Sequence, residues 1–175
     1  MSYKIIYADP PWNYTSTSNK IPSRKKGGQS YNAMRMIDIY DFKLPKIDKD
    51  CVLFLWATAP LFPEALYTIK EWGFDFKTIG FTWIKKNKKA TDTNFWGMGS
   101  WTRSNPEYCL IAIKGNPKAI SHKVHSVIET PIQEHSKKPD IIREKIVELC
   151  GDIKRIELFA RNKYEGWDCE GNQLL

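Results

Sequence analysis

Two adjacent prolines behind an apolar run constrain this chain more than any other feature: Tyr3-Lys4-Ile5-Ile6-Tyr7-Ala8-Asp9-Pro10-Pro11-Trp12. Each proline fixes φ near about −65° and lacks a backbone N–H, so a strand predicted over the apolar run stops at Asp9 and passes into a loop. That loop presents one carboxylate, one indole, and the carbonyls of Asp9 and Pro10 as expected outward-facing acceptors. An acceptor-rich notch with an aromatic wall suits a flat molecule bearing an NH2 group, such as a nucleobase with an exocyclic amine. The nitrogen of such an amine is a poor nucleophile because its lone pair is spread into the ring. Two acceptors holding its hydrogens would draw it toward tetrahedral geometry and free the lone pair for attack on an electrophilic methyl group. Asp9 would stabilise the positive charge that moves onto nitrogen. A bare Asp-Pro-Pro also serves as a rigid strand-ending turn, with Trp12 in the packing.

The rest of the chain alternates strand and helix patterns. The run 51–56 reads as a buried parallel strand. Leu61, Ala65, Leu66, Ile69 and Trp72 fall at helical spacing over 58–72, with Gly73 as C-cap. A strand is expected over 74–85, another over 110–113, and a last one over 155–161. A short helix is expected over 36–42. Ser136 or Asp140 is placed to cap a further helix carrying Ile141, Ile142, Ile146, Val147 and Leu149, which Cys150-Gly151 ends. This rhythm predicts an α/β fold with a doubly wound, mostly parallel sheet, and 175 residues suit a single domain over 1–175.

Two long polar loops interrupt the pattern. The first, 13–30, follows the notch directly and contains Arg24, Lys25 and Lys26, which suggests a lid closed by Tyr31. The second opens with Lys85, Lys86, Lys88 and Lys89 and runs through Phe95, Trp96, Trp101 and Arg103. Cations interleaved with aromatic rings suit phosphates and stacked bases. Trp56 and Trp83 stand near the C-terminal ends of predicted strands, the edge where open α/β sheets take ligands. Each also has the ordinary use of a core tryptophan. Glu107 precedes an apolar strand, where it either pairs with a nearby cation such as Arg103 or lines the pocket. The net charge of +7 and a pI near 9.2 favour a polyanionic partner. Four cysteines without CxxC spacing and three histidines complete no metal-ligand pattern, so no metal is expected. With no apolar run near about 18 residues and no secretory signal, a cytoplasmic location is expected.

The Asp9-Pro10-Pro11-Trp12 tetrapeptide, the stretch Ile156-Glu157-Leu158-Phe159-Ala160-Arg161 and the closing Gly171-Asn172-Gln173-Leu174, in that order, resemble the MT-A70 class of adenine N(6)-methyltransferases. The resemblance implies a Rossmann-like methyltransferase fold with permuted motif order, and S-adenosyl-L-methionine as methyl donor. It implies that Asp9, Pro10, Pro11 and Trp12 engage the target amine. Lys138 would reach the donor's methionyl carboxylate, Phe159 and Arg161 would flank the donor, and Asn172 and Gln173 would meet its ribose, with Asp9 also touching the donor. Tyr31 would lie by the acceptor, and Trp56 and Trp83 around the base pocket. Compact members resemble bacterial and phage enzymes, so site-specific methylation of adenine in DNA is expected ahead of RNA, with a homodimer sharing recognition. A non-catalytic nucleic-acid scaffold is the reading from another class.

Overall fold

The computed structural model describes residues 2–14, 33–98, 101–134, 136–171 and 174. Strand β1 (Tyr3–Ala8) ends where the prolines begin. It lies inside a seven-stranded sheet with β2 (Ile47–Ala57), β3 (Asp75–Lys86), β4 (Glu107–Lys114), β5 (Val127–Pro131), β6 (Arg155–Leu158) and β7 (Asp168–Glu170), in the order β5-β3-β4-β2-β1-β6-β7. Ile6 stands opposite Leu53 on one side and Ile156 on the other, and both pairings are parallel. β3 with β5 and β6 with β7 are parallel too, whereas β4 runs against both its neighbours. The sheet is therefore mixed and mostly parallel, as the alternating pattern implied.

Side chains of a strand alternate between faces, and here the two faces have separate cores. Ile6, Ala8, Leu53 and Leu55 join Ile39 of α1 (Met36–Tyr40) and Ala65 and Ile69 of α2 (Phe62–Glu71). Ile5, Tyr7, Phe54 and Trp56 join Ile142 and Ile146 of α3 (Ile141–Cys150) on the opposite face. Helices on both sides bury residues 5–8 of β1 and 51–57 of β2, which is why these stretches read as continuous apolar runs.

Several local expectations change. The helix expected over 58–72 is a 3₁₀ turn (Ala59–Leu61) followed by α2, because Pro63 has no N–H to carry a continuous ladder. Leu61, Ala65, Ile69 and Trp72 are buried as expected, but Leu66 is exposed. Gly73 adopts φ +77° and its N–H bonds to the Lys70 carbonyl, so the C-cap stands. Neither Ser136 nor Asp140 makes a side-chain cap for α3: the Asp140 carboxylate instead meets Lys137 at 3.0 Å and Arg143 at 3.2 Å. Phe76 and Ile79 are exposed on a stretch of β3 broken by register shifts between Phe76 and Thr78 and between Ile79 and Phe81. β5 and β7 had no expectation at all; at five and three residues they are too short for periodicity to show. All four cysteines are free thiols, three of them buried.

Candidate active site

The C-terminal ends of β1, β2, β6 and β7 and the first residue of β4 surround a cleft of about 230 Å³. This is the edge at which open α/β sheets take ligands. The tip of β1 forms part of its lining, through Asp9, Pro10, Pro11 and Trp12. The carbonyl of Pro10 accepts the Trp12 N–H at 2.8 Å, and that of Pro11 accepts the Met34 N–H at 3.0 Å. Pro10 is thus already engaged rather than simply outward-facing, and keeps one lone pair for a further donor. Trp12 is buried; its indole N–H donates to the Trp56 carbonyl at 2.8 Å, and the Trp56 indole donates to the Tyr7 hydroxyl at 2.7 Å. Two indoles in series pin the turn to the core.

Four charges alternate in a row from the cleft to β3. Lys138 Nζ lies 2.9 Å from Asp9 Oδ2 and 3.2 Å from Glu107 Oε2, and Glu107 Oε1 lies 2.6 Å from Lys85 Nζ. Burial raises the pKa of Asp9 above the ordinary aspartate value, against the pull of Lys138. Burial would raise Glu107 as well, but the ammonium groups of Lys138 and Lys85 hold it below the usual range. For Lys138 burial works downward, and the two carboxylates outweigh it and raise its pKa. The partner expected for Glu107, Arg103, is exposed, and Lys85 and Lys138 take its place; Glu107 lines the cleft all the same.

The opposite wall comes from the end of β6. Phe159 and Ser136 are the two non-glycine residues with positive φ among those described, at +59° and +61°, and both line the cleft. Such backbone strain collects at functional sites. The Phe159 ring packs on Phe42 at 4.8 Å between centroids and stacks on Trp72 at 6.4 Å. Ala160 N–H bonds to the Glu170 carbonyl at 2.9 Å, and Gly171 approaches the Ala160 backbone so closely that any Cβ would overlap it. The glycine lets the chain close the rim.

The structure brings Asp9, Pro10, Pro11, Trp12, Trp56, Lys138, Phe159 and Arg161 to this cleft. It does not bring Trp83, which is buried behind Trp56 in an edge-on contact at 6.4 Å and donates its indole N–H to the Thr130 carbonyl at 3.2 Å. Lys138 reaches its cleft position between two acids rather than as an isolated cation. Tyr31, Asn172, Gln173 and positions 15–30 of the expected lid lie outside the described residues. Met34, Phe42 and Thr58 line the cleft without any motif to announce them. Ser136, one of the two alternatives expected to cap α3, is a wall residue of the cleft.

Of the basic residues expected to meet phosphate, Lys85 is committed to Glu107, and Lys86 to Glu129 at 3.1 Å. Lys88, Lys89 and Arg103 are exposed. Changing those three together to Gln is expected to reduce the log–log salt slope of nucleic-acid binding by about 2 to 3, at roughly 0.9 per phosphate contact. Lys86→Gln alone is expected to change it by less than one contact. Titrations at four salt concentrations measure both, and an unchanged slope in the triple variant counts against phosphate contact by this loop.

A family model described as MT-A70 matches residues 3–173. Over 190 residues the chain is 29% identical to the type II methyltransferase M.MunI of Mycoplasma sp., covering 98% of this chain and 78% of that protein. It is 29% identical to the N(6)-adenosine-methyltransferase catalytic subunit METTL3 of Homo sapiens, covering 98% of this chain and 28% of that one. It is 27% identical to the N(6)-adenosine-methyltransferase MT-A70-like protein of Arabidopsis thaliana, with 99% and 24% covered. The chain thus spans most of the bacterial relative and about a quarter of these eukaryotic ones.

Proposed function

The chain belongs to the MT-A70 family of methyltransferases, and from that premise we propose that it transfers the methyl group of S-adenosyl-L-methionine to the exocyclic 6-amino group of adenine in DNA. When bound, the donor supplies an electrophilic methyl on a sulfonium. The cleft's chemistry fits such a molecule: a carboxylate for its positive centre at Asp9, an aromatic wall at Phe159 and Phe42, and cations at Arg161 and Lys138 for its carboxylate. Asn172 and Gln173 follow directly on Gly171 and are the proposed contacts to its ribose.

The observation that carries this reading is a half-buried Asp9 at the tip of a central strand, paired with a lysine that is mostly buried and next to a proline carbonyl with a lone pair to spare. Asp9 and Pro10 together accept the two N–H bonds of the amine and aim its lone pair. As positive charge develops on nitrogen, the Asp9 carboxylate stabilises it, and its raised pKa makes it a stronger proton acceptor than a solvated aspartate. Pro11, Trp12, Met34 and Phe42 present apolar surface that keeps water from the reacting atoms. An adenine inside a duplex is out of reach of such a cleft, so the base is flipped or the substrate is single-stranded.

DNA is favoured because the bacterial relative, named a type II methyltransferase, is the one whose length this chain mostly spans. The names of the eukaryotic relatives support methylation of adenosine in RNA as the second reading. Among the described residues no helix is long and apolar enough to cross a membrane. The test supplies methyl-labelled donor with matched DNA and RNA, digests the products to nucleosides and identifies the labelled one by mass. N(6)-methyldeoxyadenosine is expected, and label in neither polymer sinks the proposal.

A pH profile gives a second check. Asp9 works as the carboxylate, so kcat/KM is expected to be full above its raised pKa and to fall as the pH drops through it. Of the charges near Asp9, Lys138 and Arg161 lower its pKa and Glu107 raises it. Lys138→Gln removes the strongest of the downward pulls, so the acid limb is expected to move to higher pH. A limb that stays put or moves down contradicts the assignment.

A further inference from the structure

The loop between β3 and β4 carries three large apolar side chains that the fold does not use: Trp101 is 99% exposed, Met98 93% and Trp96 59%. Scattered exposed hydrophobics need no explanation, but three together on one loop mark a surface that meets something. The described part of the loop is tied down. Its stem is bridged antiparallel between Lys86 and Asn94 and between Gly97 and Ser104, with the Gly97 N–H on the Ser104 carbonyl at 2.7 Å. Buried Asn105 clamps the base with three hydrogen bonds: its amide donates to the carbonyls of Lys85 at 2.9 Å and Phe95 at 2.6 Å, and its oxygen accepts the Lys85 N–H at 2.9 Å.

Resting on the proposed methylation of adenine in DNA, we propose that this loop is a wedge: Trp101 and Met98 enter the base stack beside the target and hold open the space that the flipped adenine leaves. Charge supports a duplex as the occupant. Lys85 and Lys86 are spent on Glu107 and Glu129, while Lys88, Lys89 and Arg103 stand exposed on the same loop. An apolar tip with cationic shoulders matches the order of phosphate, base and phosphate along an opened strand. Continuity with the cleft supports it as well, since both roots of the loop, Lys85 and Glu107, belong to the row of charges that ends at Asp9. One root of the loop, Glu107, therefore lines the cleft where the flipped base has to arrive. An aromatic wedge suits this because any base has a π face to stack on, so it serves whatever sequence surrounds the target.

The test is permanganate probing of a mixed-sequence duplex, which reports thymines that have lost their stacking and needs neither methyl transfer nor a known target. With wild-type protein, thymines opposite expelled adenines are expected to become reactive, and Trp101→Ala is expected to lower that reactivity about tenfold, with the ratio of duplex to single-strand methylation falling in step. Unchanged reactivity in Trp101→Ala overturns the wedge. So does a shift from dimer to monomer in sedimentation caused by the same substitution while reactivity stays, which makes the tip a contact between two copies. Thymine exposure without any methyl transfer keeps the wedge and defeats the proposed reaction; methyl transfer to duplex adenine without thymine exposure in the wild type does the reverse.

Discussion

Asp9→Asn is expected to slow methyl transfer by about 10²- to 10³-fold, the loss that follows removal of one preorganised electrostatic partner of a developing charge. Asparagine keeps the shape, and its oxygen still accepts an N–H, but it cannot carry the negative charge or take a proton. Lys138 keeps Glu107 as counterion at 3.2 Å, so the variant is not left with a stranded ammonium and is expected to fold. Initial rates at saturating donor and polymer measure the loss, and binding of the polymer by anisotropy is expected to change by less than about threefold if Asp9 acts mainly in the transition state. A scaffold protein makes the opposite forecast, since nothing it does depends on that charge. Retained turnover in the variant therefore removes Asp9 from the chemistry.

Glu157→Leu is expected to cost about 3 to 5 kcal/mol of stability, enough to lower Tm by roughly 10 °C. Both carboxylate oxygens of Glu157 accept from Arg143, Nε and Nη2, at 2.7 Å, and the two side chains are only 8% and 10% exposed. The guanidinium is also stacked against Tyr164 at 3.4 Å and faces Tyr7 at 5.4 Å, so it cannot swing into water without giving up those rings. Without Glu157 its remaining carboxylate is Asp140 at 3.2 Å. The double substitution Arg143→Met with Glu157→Leu is expected to recover most of the loss, because no buried charge then remains. Urea denaturation of the three proteins decides it, and a single variant as stable as the wild type shows that Arg143 reaches water or another acid.

The strand-ending tip of β1 was legible because proline geometry is local: Pro10 and Pro11 leave the chain no other course. The two-sided burial of β1 and β2 was legible from unbroken apolar runs, and Gly73 from its place after a helical stripe. What escaped depends on partners distant in sequence. Asp9 and Lys138 lie 129 residues apart, and nothing near either one announces their pairing. Lys85 and Lys86 looked like phosphate ligands because Glu107 and Glu129 are brought to them by the pairing of β3 with β4 and β5. Trp83 looked like a strand end, yet β3 continues to Lys86, and the indole lies in the core on the same face as Trp56 and behind it. Short β5 and β7 owe their strand character to the neighbours they pair with rather than to their own composition.

The row of Lys85, Glu107, Lys138 and Asp9 contains two cations and two anions, so their charges sum to zero although the whole protein carries +7. On the proposed function, an uncharged purine ring would meet a row with no net charge, while the attraction for a polyanion would be delivered elsewhere on the molecule. Capture and chemistry would in this way be electrically separate: the first would answer to the ions in the surrounding solution, the second to four mostly buried side chains whose mutual contacts those ions screen less.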